Sequence, residues 1–275
     1  MKILSLGLGV NSVALAIEAA NRGIVLDLIV FSDTGDERKK TYEYCDLFSD
    51  WLVSHGQPAI TTTRWIRRDG SFVPISDISL LRKELPSKAY GYSGCTAKWK
   101  QQPLDKLVRE DERAKAAWAR GELVERWIGY DSDEPERAAR MLEKNPQPRK
   151  RKQGQEIVVP SWKWRCPLVE WDMGREECLA VIAAAGLPSP GKSSCFMCPS
   201  MKRSEIDDLA RDEPEALQRA LAIEDAALQG GELRTVKGLG RSFSWREYLE
   251  GKAEALAARE VVEQDCGCFD GDGGD

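Results

Sequence analysis

Six consecutive residues near the start of the chain, Gly7-Leu8-Gly9-Val10-Asn11-Ser12, have the types that a phosphate-binding turn needs. Glycine admits tight backbone angles and lets a ligand approach the main chain. A helix that starts there turns free N–H groups and the positive end of its dipole toward an anion. Asn11 and Ser12 add side-chain donors. The spacing is neither G-x-G-x-x-G nor the Walker pattern with lysine, so the turn alone suits an ordinary strand-to-helix bend as well. A second polar segment, Asp33-Thr34-Gly35, follows an apolar run. In α/β folds that place, outside the carboxyl end of a strand, is where ligands are met. Asp and Gly also form such turns with no ligand.

The chain has eight cysteines and one histidine. Without an export signal, such cysteines act as ligands, nucleophiles or core residues more often than as disulfides. Cys195 and Cys198 form a C-x-x-C pair, which presents two thiolates to one metal or cluster and alone makes half a site. Cys266-Gly267-Cys268 lies in a glycine- and aspartate-rich end that suits a swinging thiol and a functionless tail equally. Cys45 and Cys178 sit among apolar neighbours and read as core. The single histidine, His55, reads as a helix C-terminal residue, so histidine-rich metal sites and multi-histidine mechanisms are excluded.

Lys98 and Lys100 follow Cys95, and with Arg137 they are candidates for contacts to a triphosphate or sulfate. Lys192 and Lys202 flank the C-x-x-C pair and are weaker candidates. Asp131, Asp133 and Glu134 either hold Mg²⁺ with nucleotide phosphates or form the acidic first turn of a helix begun at Pro135. The basic run Arg149-Lys150-Arg151-Lys152 reads as a solvated loop, with RNA or DNA contact as the other reading.

These residues need elements to position them. Residues 3–8, 27–31 and 59–63 read as strands, and helices over 12–22 and 42–54 fill the gaps, the first capped by Asn11 or Ser12. Strand–helix–strand–helix–strand predicts a parallel sheet. Further on, helices are expected over 77–85, 104–120, 135–142, 175–185, 204–211 and 214–228. A strand is expected over 123–128, a mobile loop over 145–155 and an edge strand over 157–160. The expected class is a three-layer α/β/α sandwich with a mostly parallel sheet and a helical C-terminal part. Its expected divisions are a nucleotide-binding domain (1–186), a Cys-containing helical region (187–262) and a flexible tail (263–275).

The bulk numbers agree with that class. At 275 residues, with 42% apolar and 31% charged residues, the chain is long enough for a sizeable core. A net charge of −5 gives no global argument for nucleic-acid binding. No apolar run approaches the ~18 residues that a membrane span needs. The expected location is the cytoplasm, with no membrane association.

Six segments in order carry a family likeness: SLGLGVNS, FSDTGDERKKTYEY, GCTAKWKQQPL, WIGYDSDEPER, CPLVEW and KSSCFMCP. Over residues 1–225 the chain resembles the phosphoadenosine phosphosulfate (PAPS) reductase branch of the PP-loop adenine-nucleotide α-hydrolase superfamily, in particular its small phage and prophage members. The resemblance implies an adenine nucleotide, ATP or PAPS, bound by Ser5, Gly7, Gly9, Asn11, Ser12, Asp33, Thr34, Gly35, Lys100, Gly129 and Arg137, with Lys98 assisting catalysis. It also implies a 4Fe–4S cluster, or zinc, on Cys95, Cys195 and Cys198. Cys166 closes that site, with Cys266 or Cys268 behind it, or one iron stays open as in the PP-loop tRNA thiolases.

Cys266 resembles the C-terminal nucleophile of the reductases, and a thioredoxin-like reductant would then be a partner. The thiolase version implies tRNA or DNA instead. A third reading is a nucleotide- or nucleic-acid-binding module with a structural metal. The chain departs from the family pattern SGGxDS at Gly7, Leu8 and Asn11, and the histidine expected soon after Cys266 is absent.

Overall fold

The computed structural model describes residues 1–144, 161–230, 233 and 235–265, with 256–265 as helical backbone alone. The strand leading into the glycine turn, β1 (Lys2–Leu6), is the middle of a five-stranded sheet. The others are β2 (Leu28–Asp33), β3 (Ile60–Arg64), β4 (Val124–Trp127) and β5 (Trp162–Arg165). Their order is β3-β2-β1-β4-β5 and every pairing is parallel. Parallel strands are covered on both faces, so neighbouring residues of one strand feed different cores. Leu4 and Ile29 join one core and Ile3, Leu28 and Val30 the other.

The first face is covered by α1 (Val10–Asn21), α2 (Lys39–Ser54), α7 (Pro167–Glu170) and α8 (Arg175–Ala184), through Val13, Ile17, Phe48, Leu168 and Ile182. On the opposite face lie α4 (Gln102–Glu110) and α5 (Glu112–Ala119), with Leu104, Val108, Ala117 and Trp118. The three-layer α/β/α arrangement is therefore the one expected. The further helices described are α3 (Ile75–Arg82), α6 (Pro135–Leu142), α9 (Arg203–Asp212), α10 (Pro214–Gln229) and α11 (Trp245–Asp265). A 3₁₀ turn spans Ser87–Tyr90 and a π-helical turn Thr96–Gln101.

The chain divides into two compact units, residues 1–75 with 94–195, and residues 76–93 with the described part of 196–275. The first contains the sheet. In the second, Glu224 is fully buried and organises the start of α11. Its Oε1 accepts from Ser244 Oγ (2.6 Å) and Arg246 N (3.0 Å), and its Oε2 from Leu239 N (2.6 Å) and Trp245 N (3.0 Å). One carboxylate thus satisfies N–H groups that a helix N-terminus leaves open.

Several local expectations change. The first strand ends at Leu6, and the first helix starts at Val10 with Gly9 as its N-cap and no side-chain cap, because Asn11 and Ser12 bond elsewhere. The helix expected over 104–120 is two helices. Asp111 breaks it with an extended backbone (ψ 123°) and accepts from Arg113 N (2.8 Å) and Ala114 N (3.3 Å) as the N-cap of α5. The aromatic–basic sequence of β5 hid its strand character, and α11 was not anticipated. The loop expected over 145–155, with the basic run 149–152, and the edge strand over 157–160 lie outside the described residues. No helix among the described residues is long and apolar enough to cross a membrane.

Candidate functional site

The strand order reverses between β1 and β4, since the chain moves outward from β1 to β3 and then returns to β4 on the other side. In doubly wound sheets the crevice beyond the carboxyl ends of those two strands is where ligands bind. The glycine turn occupies that place. Ser12 Oγ donates to Gly9 O (3.0 Å) and accepts from Gly7 N (3.2 Å), which folds the turn on itself. Ser193 Oγ donates to Gly7 O. Leu8 has φ 55°, a conformation that favours glycine, and its side chain is buried. The first turn of α1 holds no acidic residue and has no side-chain cap, so its N–H groups and dipole suit an anion.

Gly129, just past β4, closes the turn from the other side. A Cβ there would stand 2.8 Å from both Ser12 N and Ser12 Cα, so only glycine fits. Two residues on, Asp131 Oδ2 accepts from Asn11 Nδ2 at 2.7 Å, and Asn11 Oδ1 accepts from Arg175 Nη1 at 2.9 Å. Asn11 is therefore held from both ends. Asp131 is 3% exposed, and its Oδ1 is buried without a hydrogen-bond partner. Burial raises the Asp131 carboxyl above its ordinary pKa, the nearby Glu134 adds to this, and the Asn11 amide opposes it. The other two acids of the cluster have local duties. Asp133 Oδ2 accepts from Arg175 N (2.7 Å) at the start of α8, and Glu134 pairs with Arg137.

A second group of side chains lies at the end of β2. Asp33, the last residue of the strand and 1% exposed, accepts from Gly35 N (2.8 Å), Tyr42 Oη (2.7 Å) and Arg64 Nε (2.7 Å). Burial, with the Asp33 carboxylate beside it, pushes the Tyr42 hydroxyl well above its usual pKa. Gly35 has φ 79°, and a Cβ there would meet the Phe72 ring at 2.6 Å. Glu37 is buried, and its Oε1 accepts from Lys100 Nζ at 2.9 Å while Oε2 has no partner. Cys195 joins this group, with Sγ 3.1 Å from Thr34 Oγ1 and 3.9 Å from Glu37 Oε1. A short antiparallel bridge pairs the backbones of Glu37 and Cys195.

The structure thus brings Gly7, Gly9, Asn11, Ser12 and Gly129 together, and Asp33, Thr34, Gly35, Lys100 and Cys195 together. Other expected residues are placed apart from these bonds. Ser5 Oγ accepts from Arg126 Nε (3.4 Å), a guanidinium paired with Asp105. Lys98 Nζ lies over the rings of Trp65 (4.0 Å) and Trp99 (4.4 Å). The Arg137 guanidinium lies over Tyr130 at 4.6 Å.

Cys95 precedes the π-helical turn, and Cys166 is buried at the start of α7, its thiol pushed up to about 11 by burial. Cys198 carries a backbone bond to Met201 N, and Cys266 lies outside the described residues. Among the described residues, no three Cys, His, Asp or Glu side chains form a group able to hold a metal ion. Cys45 and Cys178 are buried as expected, and His55 caps the end of α2 with its ring stacked on Trp51 at 3.9 Å.

Sequence reasoning missed Glu37, Tyr42, Arg64, Arg175 and Ser193. The first two lie inside the segment FSDTGDERKKTYEY, whose run of polar residues after a strand was a usable signal. Arg64, Arg175 and Ser193 carry no local pattern, because their partners are 31, 164 and 186 residues away. No family model matches this chain, and no curated protein is similar enough to it to count as a match.

Proposed function

We propose that the protein is an enzyme that binds an adenine nucleotide, with its phosphates at the 7–12 turn, and performs PAPS reductase-like sulfur chemistry on it. One observation carries this reading: the uncapped start of α1 lies at the strand-order reversal, where Gly129 packs main chain to main chain against Ser12 and holds the turn in place. N–H groups there meet phosphate oxygens, and Arg175, held at the turn through Asn11, adds a positive charge. In the reductase version a thiolate, assigned to Cys266, attacks the sulfate sulfur of PAPS and breaks its S–O bond to the phosphate. The nucleotide bisphosphate leaves, and a thioredoxin-like dithiol releases sulfite from the sulfonated cysteine while becoming a disulfide.

A second reading is favoured by the Cys195 thiol beside Thr34 at the end of β2. Here a substrate oxygen, on tRNA or DNA, attacks the α-phosphorus of ATP and pyrophosphate leaves. A sulfur nucleophile then displaces AMP. The resemblance would also place a cluster or zinc on Cys95, Cys166, Cys195 and Cys198. The Cys166 thiol is buried and the Cys195 thiol lies against Thr34 and Glu37, so among the described residues these cysteines do not converge on one metal.

Titration of the full chain with ATP and with PAPS tests the reading. Binding of either supports it, and binding of neither overturns it in favour of a module without nucleotide chemistry. Sulfite release from PAPS with thioredoxin identifies the reductase, whereas pyrophosphate release from ATP with an acceptor nucleic acid identifies the adenylating version.

A further inference from the structure

Asn11 stands where the family pattern has an acid, yet a carboxylate is present at that spot in space. Asp131, 120 residues further along, hydrogen-bonds the Asn11 amide at 2.7 Å. Its other oxygen, Oδ1, is buried without a hydrogen bond of ordinary length, and the Asp133 main-chain N–H is the nearby donor to this carboxylate. Buried carboxylate oxygens are almost always satisfied, so an open one beside a candidate phosphate site needs an occupant. Asp133 and Glu134 are engaged with Arg175 N and Arg137. That leaves Asp131 as the acid of this cluster that faces the turn.

We infer that Asp131 supplies the negative charge of the site, by holding the divalent cation that accompanies the nucleotide's phosphates. Residue 11 is an amide because it must donate to that carboxylate. This rests on the nucleotide reading above. Mg²⁺ bound with a nucleotide needs only one or two protein carboxylates, the phosphates and waters filling the rest. An aspartate at position 11 would set two carboxylates within hydrogen-bond distance, and like charges so close disfavour one another. Asn11 avoids that repulsion, and Arg175 on its oxygen fixes which end faces Asp131. The acid thus stands across the β1–β4 crevice from the amide at position 11.

The test is a charge swap on the full chain, with ATP titrated in MgCl₂ and in EDTA and thermal unfolding recorded without nucleotide. Wild type is expected to bind ATP at least tenfold more tightly with Mg²⁺. Asp131→Asn is expected to lose that difference. Asn11→Asp alone is expected to lower the Tm by several degrees. The double variant Asn11→Asp/Asp131→Asn is expected to recover both the Tm and most of the Mg²⁺ effect. An Asp131→Asn protein that keeps the full Mg²⁺ effect overturns the cation assignment. A double variant no better than Asn11→Asp in Tm overturns the pairing of acid and amide. Wild type that binds no ATP under either condition overturns the nucleotide reading instead, while the Tm cycle still reports on the residue pair.

Discussion

Gly129 and Ser12 touch through their main chains: a Cβ on Gly129 would stand 2.8 Å from both the nitrogen and the Cα of Ser12. The contact locks the end of β4 against the glycine turn after β1. Gly129→Ala has backbone, not a flexible side chain, to push aside. It is expected to cost ~1–3 kcal/mol, the usual range for overpacking, and to weaken ATP or PAPS binding because the turn must open. Chemical denaturation and calorimetric titration of the same variant check both effects. A variant with unchanged stability would show that the two loops move apart freely.

Asp33 is the best-satisfied acid at the strand ends, with donors from Gly35, Tyr42 and Arg64. Asp33→Ala strands the Tyr42 hydroxyl and the Gly35 N–H, and at ~1–3 kcal/mol per stranded group it is expected to cost the most of the three. Tyr42→Phe removes one bond, for ~1 kcal/mol. Arg64→Ala is expected to be mild, since its side chain is 49% exposed and solvent screens the pair. Urea midpoints for the three variants should fall in that order.

Glu224 binds four donors around the start of α11. Glu224→Ala leaves them all open in a buried place and is expected to cost about 3 kcal/mol or more, given ~1–3 kcal/mol per stranded group. Gly238→Ala should also destabilise, because its Cβ would collide with the Glu224 carboxylate. Amide exchange at residues 245–248 should accelerate first in either variant.

The Cys45 and Cys178 thiols are raised by burial to about 11 and about 12. A thiol with a raised folded-state pKa stabilises the fold fully below the ordinary thiol value, near ~8.5. That contribution declines as pH climbs from there through the folded-state values. The Tm is therefore expected to fall above about pH 9, and less steeply in a Cys45→Ala/Cys178→Ala protein once its lower baseline is subtracted. At pH 8, iodoacetamide should spare both residues in the native protein and label them in urea, as peptide mass analysis would record.

What the sequence by itself determined is local. The apolar runs before Gly7 and Asp33, the helical spacing through α2 and the turn residues made an α/β fold legible. They also marked two polar segments as strand-end loops, because periodicity and turn chemistry depend on residues within a few positions of each other.

Only the tertiary structure decided which of those loops meet. That Gly129 closes on Ser12 and that Asp131 reaches Asn11 follow from a strand order of 3-2-1-4-5, while Arg175 and Cys195 come to the site from segments after β5. Order and register are set by the summed burial of both sheet faces, a property of the whole unit that no short stretch of residues carries. The same reason explains Asn11. In the sequence it reads as a possible helix cap, and in the fold its amide donates to the carboxylate at 131.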